Sequence, residues 1–132
     1  PVALDAHPQL VTVWLAVNDL LGYASLAAYR QDLHSLLNGL QKSTHARVLV
    51  GNIPDLTRNP HLAARLGPNS AQALFSWNAA IRDEARASGA TLVDLFASWQ
   101  ELALHPEYVG ADGLHPSADG YKRIAEIFRA AL

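Results

Sequence analysis

Three short stretches of the chain are almost continuously apolar, and longer stretches of mixed polarity separate them. The apolar stretches are residues 10–17, 46–53 and 90–96, and valine and leucine dominate them. Continuous apolar runs of this length are typical of strands that are buried on both faces of a parallel sheet. The pattern therefore predicts three parallel strands.

Between and after these strands, apolar residues recur every three or four positions, which is the spacing of one buried helix face. The periodic segments cover residues 26–40, 71–85 and 121–132. Gly89 is placed to end the second helix as a C-cap, and Ser117 is placed to begin the third as an N-cap. Alternating strands and helices predict a doubly wound or three-layer α/β/α fold of the flavodoxin-like kind, with right-handed crossovers on a parallel sheet.

The length and the loops refine this picture. A chain of 132 residues is expected to form a single domain, residues 1–132. The connections 52–69 and 97–116 are longer than such a domain needs, and both leave the carboxyl ends of strands, where open α/β sheets bind ligands. Three strands alone would leave two exposed sheet edges. We therefore expect either that the protein oligomerises or that strands are missing from this chain.

Composition narrows the classes of partner. Half of the residues are hydrophobic and 17% are charged, as in globular proteins. A net charge of −2 provides no basic surface for nucleic acid, and no apolar run reaches the ~18 residues of a membrane span. Without cysteine there is no thiolate nucleophile and no thiolate metal site. The compartment is left unassigned.

Polar residues follow each predicted strand at the same edge of the sheet. They are the pair Asn18-Asp19, Asn52, and the pair formed by Asp112 and His115. Asn and Asp are also common turn residues, and Asp112 could belong to a turn that leads into the last helix. Neither a turn nor a helix cap explains His115.

A catalytic interpretation does explain His115. A neutral imidazole is the usual general base near neutral pH, and it works best when a carboxylate such as Asp112 fixes its tautomer. The Asn18 amide could donate to an oxyanion. A nucleophile is missing, because no serine lies in a G-x-S-x-G turn, four of the eight fall inside or at the end of predicted helices, and Ser117 has a cap role. The eight serines are Ser25, Ser35, Ser43, Ser70, Ser76, Ser88, Ser98 and Ser117.

Four motifs in this order resemble the C-terminal part of the SGNH, or GDSL, hydrolases, which are serine esterases with a three-layer α/β fold. They are VTVWLAVND (11–19), RVLVGNIPD (47–55), WNAAIRDEARASGATLVDLF (77–96) and DGLHPSADGYKRIAEIF (112–128). Nearly the whole chain is covered. The Asp-x-x-His-Pro block in the last motif is the most specific signal.

The resemblance implies that His115 is the base of a catalytic triad, Asp112 its acid and Asn18 an oxyanion-hole donor. Ala16 stands where the family has a glycine. The Gly-Asp-Ser block with the nucleophile is absent, as is the family's second oxyanion donor. We therefore expect the chain to be the C-terminal portion of a hydrolase whose serine comes from an N-terminal segment or a companion chain.

The expected substrate is a small-molecule ester, and the reaction needs neither a cofactor nor a metal. The loop 52–69 is expected to form one wall of the pocket, with Asn52, Ile53, Pro54 and Leu114 as candidate pocket residues. The resemblance leaves open whether the substrate is an ester, a thioester, a lipid or an acylated sugar. The 132-residue chain alone is expected to have no esterase activity.

The sequence is also compatible with two other functions. The absent serine would also fit a non-catalytic relative that binds an acyl or sugar ligand in the same cleft. The Asn, Asp and His residues would also fit a metal-dependent phosphoesterase. A dinuclear site, however, needs several more His and carboxylate ligands than the motifs bring together.

Overall fold

A computed structural model describes residues 2–22, 24–98 and 104–132. Its sheet consists of the parallel strands Leu10–Val13 (β1), Arg47–Gly51 (β2) and Thr91–Val93 (β3), in that spatial order. Val11 is paired with Val48, and Val50 is paired with Leu92. The predicted α/β fold with a parallel sheet is confirmed.

Helices flank the sheet on both sides. In the described residues the α-helices are Val2–Asp5 (α1), Val17–Leu21 (α2), Leu26–Ser43 (α3), Pro60–Leu66 (α4), Ser70–Ser88 (α5), Leu95–Ser98 (α6) and Ala118–Ala130 (α7). Single turns of 3₁₀ helix cover Leu56–Arg58 and Pro106–Tyr108.

The central strand β2 shows why the fold has three layers. Successive side chains of a strand point to opposite faces. Val48 and Val50 accordingly belong to the apolar core formed with α3 and α5, whereas Leu49 belongs to a second core formed with α7. Each face of the sheet is therefore covered by helices, and the carboxyl ends of the strands remain free to carry a site.

The helix ends follow the predicted capping residues. Gly89 adopts a left-handed conformation with φ of 74° and ends α5, as its position in the sequence predicts. The Ser117 hydroxyl accepts a hydrogen bond from the Gly120 amide at 3.2 Å and begins α7. Both caps are confirmed.

Some predicted boundaries were wrong. The strand expected over 10–17 ends at Val13, because the chain turns into α2 at Val17. The strand expected over 90–96 ends at Val93, because Leu95 already begins α6. The expected loop 52–69 contains α4, whose start was signalled by Asn59-Pro60, since the Asn59 side chain accepts from the Leu62 amide at 3.3 Å. Part of the other expected loop, residues 99–103, lies outside the described residues.

The helices α3 and α5 also share a buried carboxylate that the hydrophobic pattern did not reveal. Glu84 is buried and accepts from Arg30 Nε at 2.6 Å, and its other oxygen lies 2.8 Å from His34 Nδ1. Burial alone would raise the pKa of Glu84, but the hydrogen bonds from Arg30 and His34 outweigh burial and lower it. The pair of helices therefore carries an ionised, fully partnered carboxylate in its interface.

Gly120 is the tightest point in the packing of α7. A Cβ atom at this position would lie 2.1 Å from the Tyr108 carbonyl oxygen and 3.1 Å from the Pro116 Cβ. Because the obstacle is backbone, it cannot rotate away. We expect Gly120→Ala to lower the free energy of unfolding by about 1–3 kcal/mol, the usual cost of overpacking. Urea denaturation measures this.

Gly39 offers a matched control inside another helix. A Cβ at Gly39, in α3, would meet no atom within 4 Å. Gly39→Ala should therefore stabilise the protein by about 0.5–1 kcal/mol, the intrinsic helix preference of alanine over glycine. Equal effects of the two substitutions would show that α7 does not pack against the Tyr108 turn.

Candidate active site

The loop before α7 is closed by backbone hydrogen bonds. Val109 and Pro116 form an antiparallel bridge, and the Gly110 amide donates to the His115 carbonyl at 2.8 Å. Gly113 turns the chain with φ of 69°, and its amide donates to the Gly110 carbonyl at 3.0 Å. A short, internally bonded loop therefore carries the histidine singled out in the sequence.

Within this loop Asp112 and His115 are in direct contact. Asp112 Oδ2 lies 2.6 Å from His115 Nδ1, and Asp112 Oδ1 accepts from the amides of Leu114 and His115, each at 3.0 Å. The hydrogen bond from the His115 side chain, followed by those from the two amides, lowers the pKa of Asp112 to about 2.

The ionised carboxylate fixes the state of the imidazole. Because an ionised carboxylate only accepts hydrogen bonds, Nδ1 of His115 must be the donor. In the neutral ring, Nε2 then carries the free lone pair, and it has no hydrogen-bond partner among the described residues. This is the tautomer that a general base requires.

His115 opens onto a cavity at the carboxyl edge of the sheet. The cavity has a volume of about 180 Å³, whereas a single water needs only ~15 Å³. There is thus room for a small organic group. Its described lining consists of Trp14, Leu15, Val17, Asn18, Pro54, Leu56, Leu62, Tyr108, Val109, Leu114, His115, Pro116 and Tyr121.

Four of the residues predicted from the sequence meet in this cavity: Asn18, Pro54, Leu114 and His115. Asn18 lies in the first turn of α2 and is exposed. Its side-chain amide has no hydrogen-bond partner among the residues that the structure describes. Asn18 therefore brings an unengaged N–H donor to the same space as His115.

The prediction that Asn52 and Ile53 line the pocket is corrected by the structure. Both are buried behind the cavity, with Asn52 4% and Ile53 0% exposed. The Asn52 amide nitrogen donates to Asp94 Oδ1 at 2.8 Å, and its amide oxygen accepts from the Phe96 amide at 2.9 Å. Both polar atoms of the Asn52 side chain therefore form hydrogen bonds that join β2 to the segment after β3.

The two buried residues nevertheless hold residues that do line the cavity. The Asn52 carbonyl accepts from Trp14 Nε1 at 3.1 Å. The Asn78 side chain accepts from the Ile53 amide and donates to the Ile53 carbonyl, both at 2.9 Å. These contacts fix Trp14 on one side of the cavity and the backbone just before Pro54 on another.

The segment 52–69, expected to form one wall, contributes Pro54, Leu56 and Leu62 to the described lining, whereas the sequence does not indicate the aromatic residues of the lining. Trp14 was assigned to a strand interior and Tyr121 to the buried stripe of α7, yet both line the cavity. Tyr108 lies in a connection whose path the sequence does not specify. The helix signal at Asn59-Pro60 could have indicated that Leu62 packs inward.

Some groups are absent from the part of the chain that is described. Among the described residues, no serine or threonine lines the cavity. The Ser117 hydroxyl is engaged, since it accepts from Gly120 and donates to the Glu107 carbonyl. In residues 2–22, 24–98 and 104–132 there is no group of three or more His, Asp or Glu placed to hold a metal ion. No described helix combines the length and the hydropathy needed to cross a membrane.

Comparison with known proteins identifies the relatives of this chain. A sequence model described as the GDSL-like Lipase/Acylhydrolase family matches residues 1–123. The resemblance inferred from the motifs is thereby confirmed. A comparison with curated proteins found no match.

Two solved structures share the fold. LAE5, an alpha/beta hydrolase enzyme from the metagenome of Lake Arreo in Spain, has a TM-score of 0.76 and 18% identity, covering 97% of this chain and 61% of LAE5. The lipase/acylhydrolase from Enterococcus faecalis has a TM-score of 0.70 and 20% identity, covering 96% of this chain and 63% of that protein. The chain therefore spans less than two thirds of the length of either.

Proposed function

The chain belongs to the GDSL-like lipase/acylhydrolase family, and on that premise we propose that it provides the base, the acid and one oxyanion donor of a serine ester hydrolase. One observation carries the proposal. His115, held by Asp112 through Nδ1, and the unengaged amide of Asn18 border one cavity.

Each group has a distinct role in acyl transfer. His115 Nε2 takes the proton of a serine hydroxyl as the oxygen attacks the ester carbonyl, and it then gives that proton to the leaving alcohol. Asp112 stabilises the imidazolium that forms between these steps. Asn18 donates a hydrogen bond to the oxyanion, a contact typically worth 10²–10³ in kcat, or about 3–4 kcal/mol. Water then attacks the acyl-enzyme by the same route.

The nucleophile in this proposal lies outside the 132 residues. The described cavity lining contains no serine or threonine. In the described residues β1 pairs with β2 on one side only, and Leu10 on this edge strand is 42% exposed. A further parallel strand added beside β1 would end at the same edge as Asn18. We propose that a segment of this kind brings the serine.

Turnover of a nitrophenyl ester tests the proposal. The full protein that contains this chain should hydrolyse the ester. The 132-residue chain, once circular dichroism has shown it to be helical, should not. Turnover by the chain alone would mean that one of its own residues is the nucleophile. Ligand binding without turnover by the full protein would support the non-catalytic alternative.

A further inference from the structure

The cavity beside His115 has a closed end and a mouth. Leu56 and Leu62 are each 3% exposed, whereas Leu15 is 64% and Tyr121 is 52% exposed. All four line the same cavity. The two leucines from the segment after β2 therefore form the inner end, and Leu15 and Tyr121 lie at the opening.

The polar groups of the proposed reaction lie at the mouth. His115 and Asn18 are both exposed, and both border the cavity. An ester carbonyl that reaches both groups must sit at the opening. Among the described lining residues, an apolar chain attached to that carbonyl can extend toward the buried Leu56 and Leu62.

The lining also restricts the charge of the group that enters. Apart from His115, the described lining residues include no ionisable acid or base other than the tyrosines Tyr108 and Tyr121. A carboxylate or ammonium group inside the cavity would lose its hydration without gaining a charged partner, which is costly. Uncharged apolar groups are favoured instead.

The inner end is held firmly. The Leu62 amide donates to the Asn59 side chain at 3.3 Å at the start of α4. Next to Leu56, Asp55 accepts from the Thr57 amide at 3.2 Å and from Arg58 Nε at 3.1 Å. These local hydrogen bonds hold the backbone that carries the two buried leucine side chains.

We propose that the substrate is an ester of an uncharged acyl group, and that Leu56 and Leu62 set the longest acyl chain that the cavity accepts. This inference rests on the proposed function, since it requires the carbonyl to lie between His115 and Asn18. Beyond that function, it assigns the acyl group of the substrate to the inner end of the cavity and the limit on acyl-chain length to Leu56 and Leu62.

The test compares nitrophenyl acetate, butyrate, hexanoate and octanoate with the full protein. Leu62→Ala should raise the ratio of kcat/KM for octanoate over butyrate about tenfold, and Leu62→Phe should lower it, because each methylene that gains or loses room in an apolar pocket changes kcat/KM about tenfold or more. Leu56→Val should raise the ratio less than Leu62→Ala does. Leu62→Ala and Leu62→Phe are expected to change the octanoate-to-butyrate ratio in opposite directions. Partial unfolding of either variant would not produce both changes.

Leu33 provides the matched control. It is 4% exposed in the same apolar core but does not line the cavity. Leu33→Ala should destabilise the protein as Leu62→Ala does, yet leave the octanoate-to-butyrate ratio unchanged. An unchanged ratio in Leu62→Ala and Leu62→Phe, with the wild type active, would overturn this inference alone. If the wild type hydrolyses none of the esters, the proposed function fails as well.

Varying the alcohol separates the two ends of the substrate. With the acyl group fixed as butyrate, methyl, butyl and octyl esters should respond alike to Leu62→Ala. A response to the alcohol rather than to the acyl chain would overturn the assignment of the inner end to the acyl group.

Discussion

Replacing His115 with alanine in the full protein is expected to lower kcat for ester hydrolysis by about 10⁶-fold, with little change in KM. His115 is the proposed carrier of the serine proton in both halves of the reaction, and no other imidazole borders the described cavity. In the proposed function the apolar wall makes the main contacts with the substrate, and the substitution leaves that wall in place. Steady-state kinetics with nitrophenyl butyrate measure both constants.

His45 is a suitable control for this substitution. It is an exposed histidine between α3 and β2, at the amino end of the strands and therefore at the edge opposite the cavity. His45→Ala should retain wild-type kcat. If His115→Ala retains more than a small fraction of activity while it remains folded, His115 is not the general base.

Replacing Asp112 with asparagine is expected to lower kcat by about 10⁴-fold. An asparagine amide can donate to Nδ1, which would move the imidazole proton to Nε2 and remove the lone pair that accepts the serine proton. It would also leave the imidazolium without a negative charge beside it. The side-chain oxygen of the asparagine can still accept hydrogen bonds from the backbone amides of Leu114 and His115, so the loop should remain folded.

The ionisation of Asp112 sets the pH range over which this loss of activity is expected. The pKa of Asp112 is lowered to about 2, so its ionised form persists as pH falls and is lost only near that value. Asp112→Asn should therefore be less active than the wild type throughout the range from about pH 5 to about pH 9. Asp119→Asn is the control, since Asp119 lies in the first turn of α7 and does not line the cavity. Equal kcat for Asp112→Asn and the wild type at pH 5 would show that the Asp112 carboxylate does not support catalysis there.

The features predicted correctly from the sequence are those with local causes. The valine-rich run around Val48 and Val50 identifies a strand buried on both faces without knowledge of its neighbours. Ser117 and Gly89 act within one turn of their own positions. Asp112 and His115 meet because the bond between them spans a single turn, so their spacing in the chain is sufficient to bring them together.

The errors concern side chains whose environment is set by distant residues. Asn52 follows a strand as a site residue would, but its amide is used by Asp94 and Phe96, about forty positions away. The hydrophobic pattern predicts that Trp14 and Tyr121 are core residues, because it cannot distinguish a packed core from the wall of a cavity. Such assignments require the packing of the loops, which no local pattern contains.

The proposed division of catalytic groups, with base, acid and oxyanion donor in this chain and the serine outside it, is tested most directly by fluorophosphonate labelling of the native full protein followed by peptide mapping. The predicted result is a single labelled serine that lies outside these 132 residues, and whose labelling is lost in His115→Ala. A label on any of the eight serines of this chain, or no labelled serine in a folded and active protein, would contradict it.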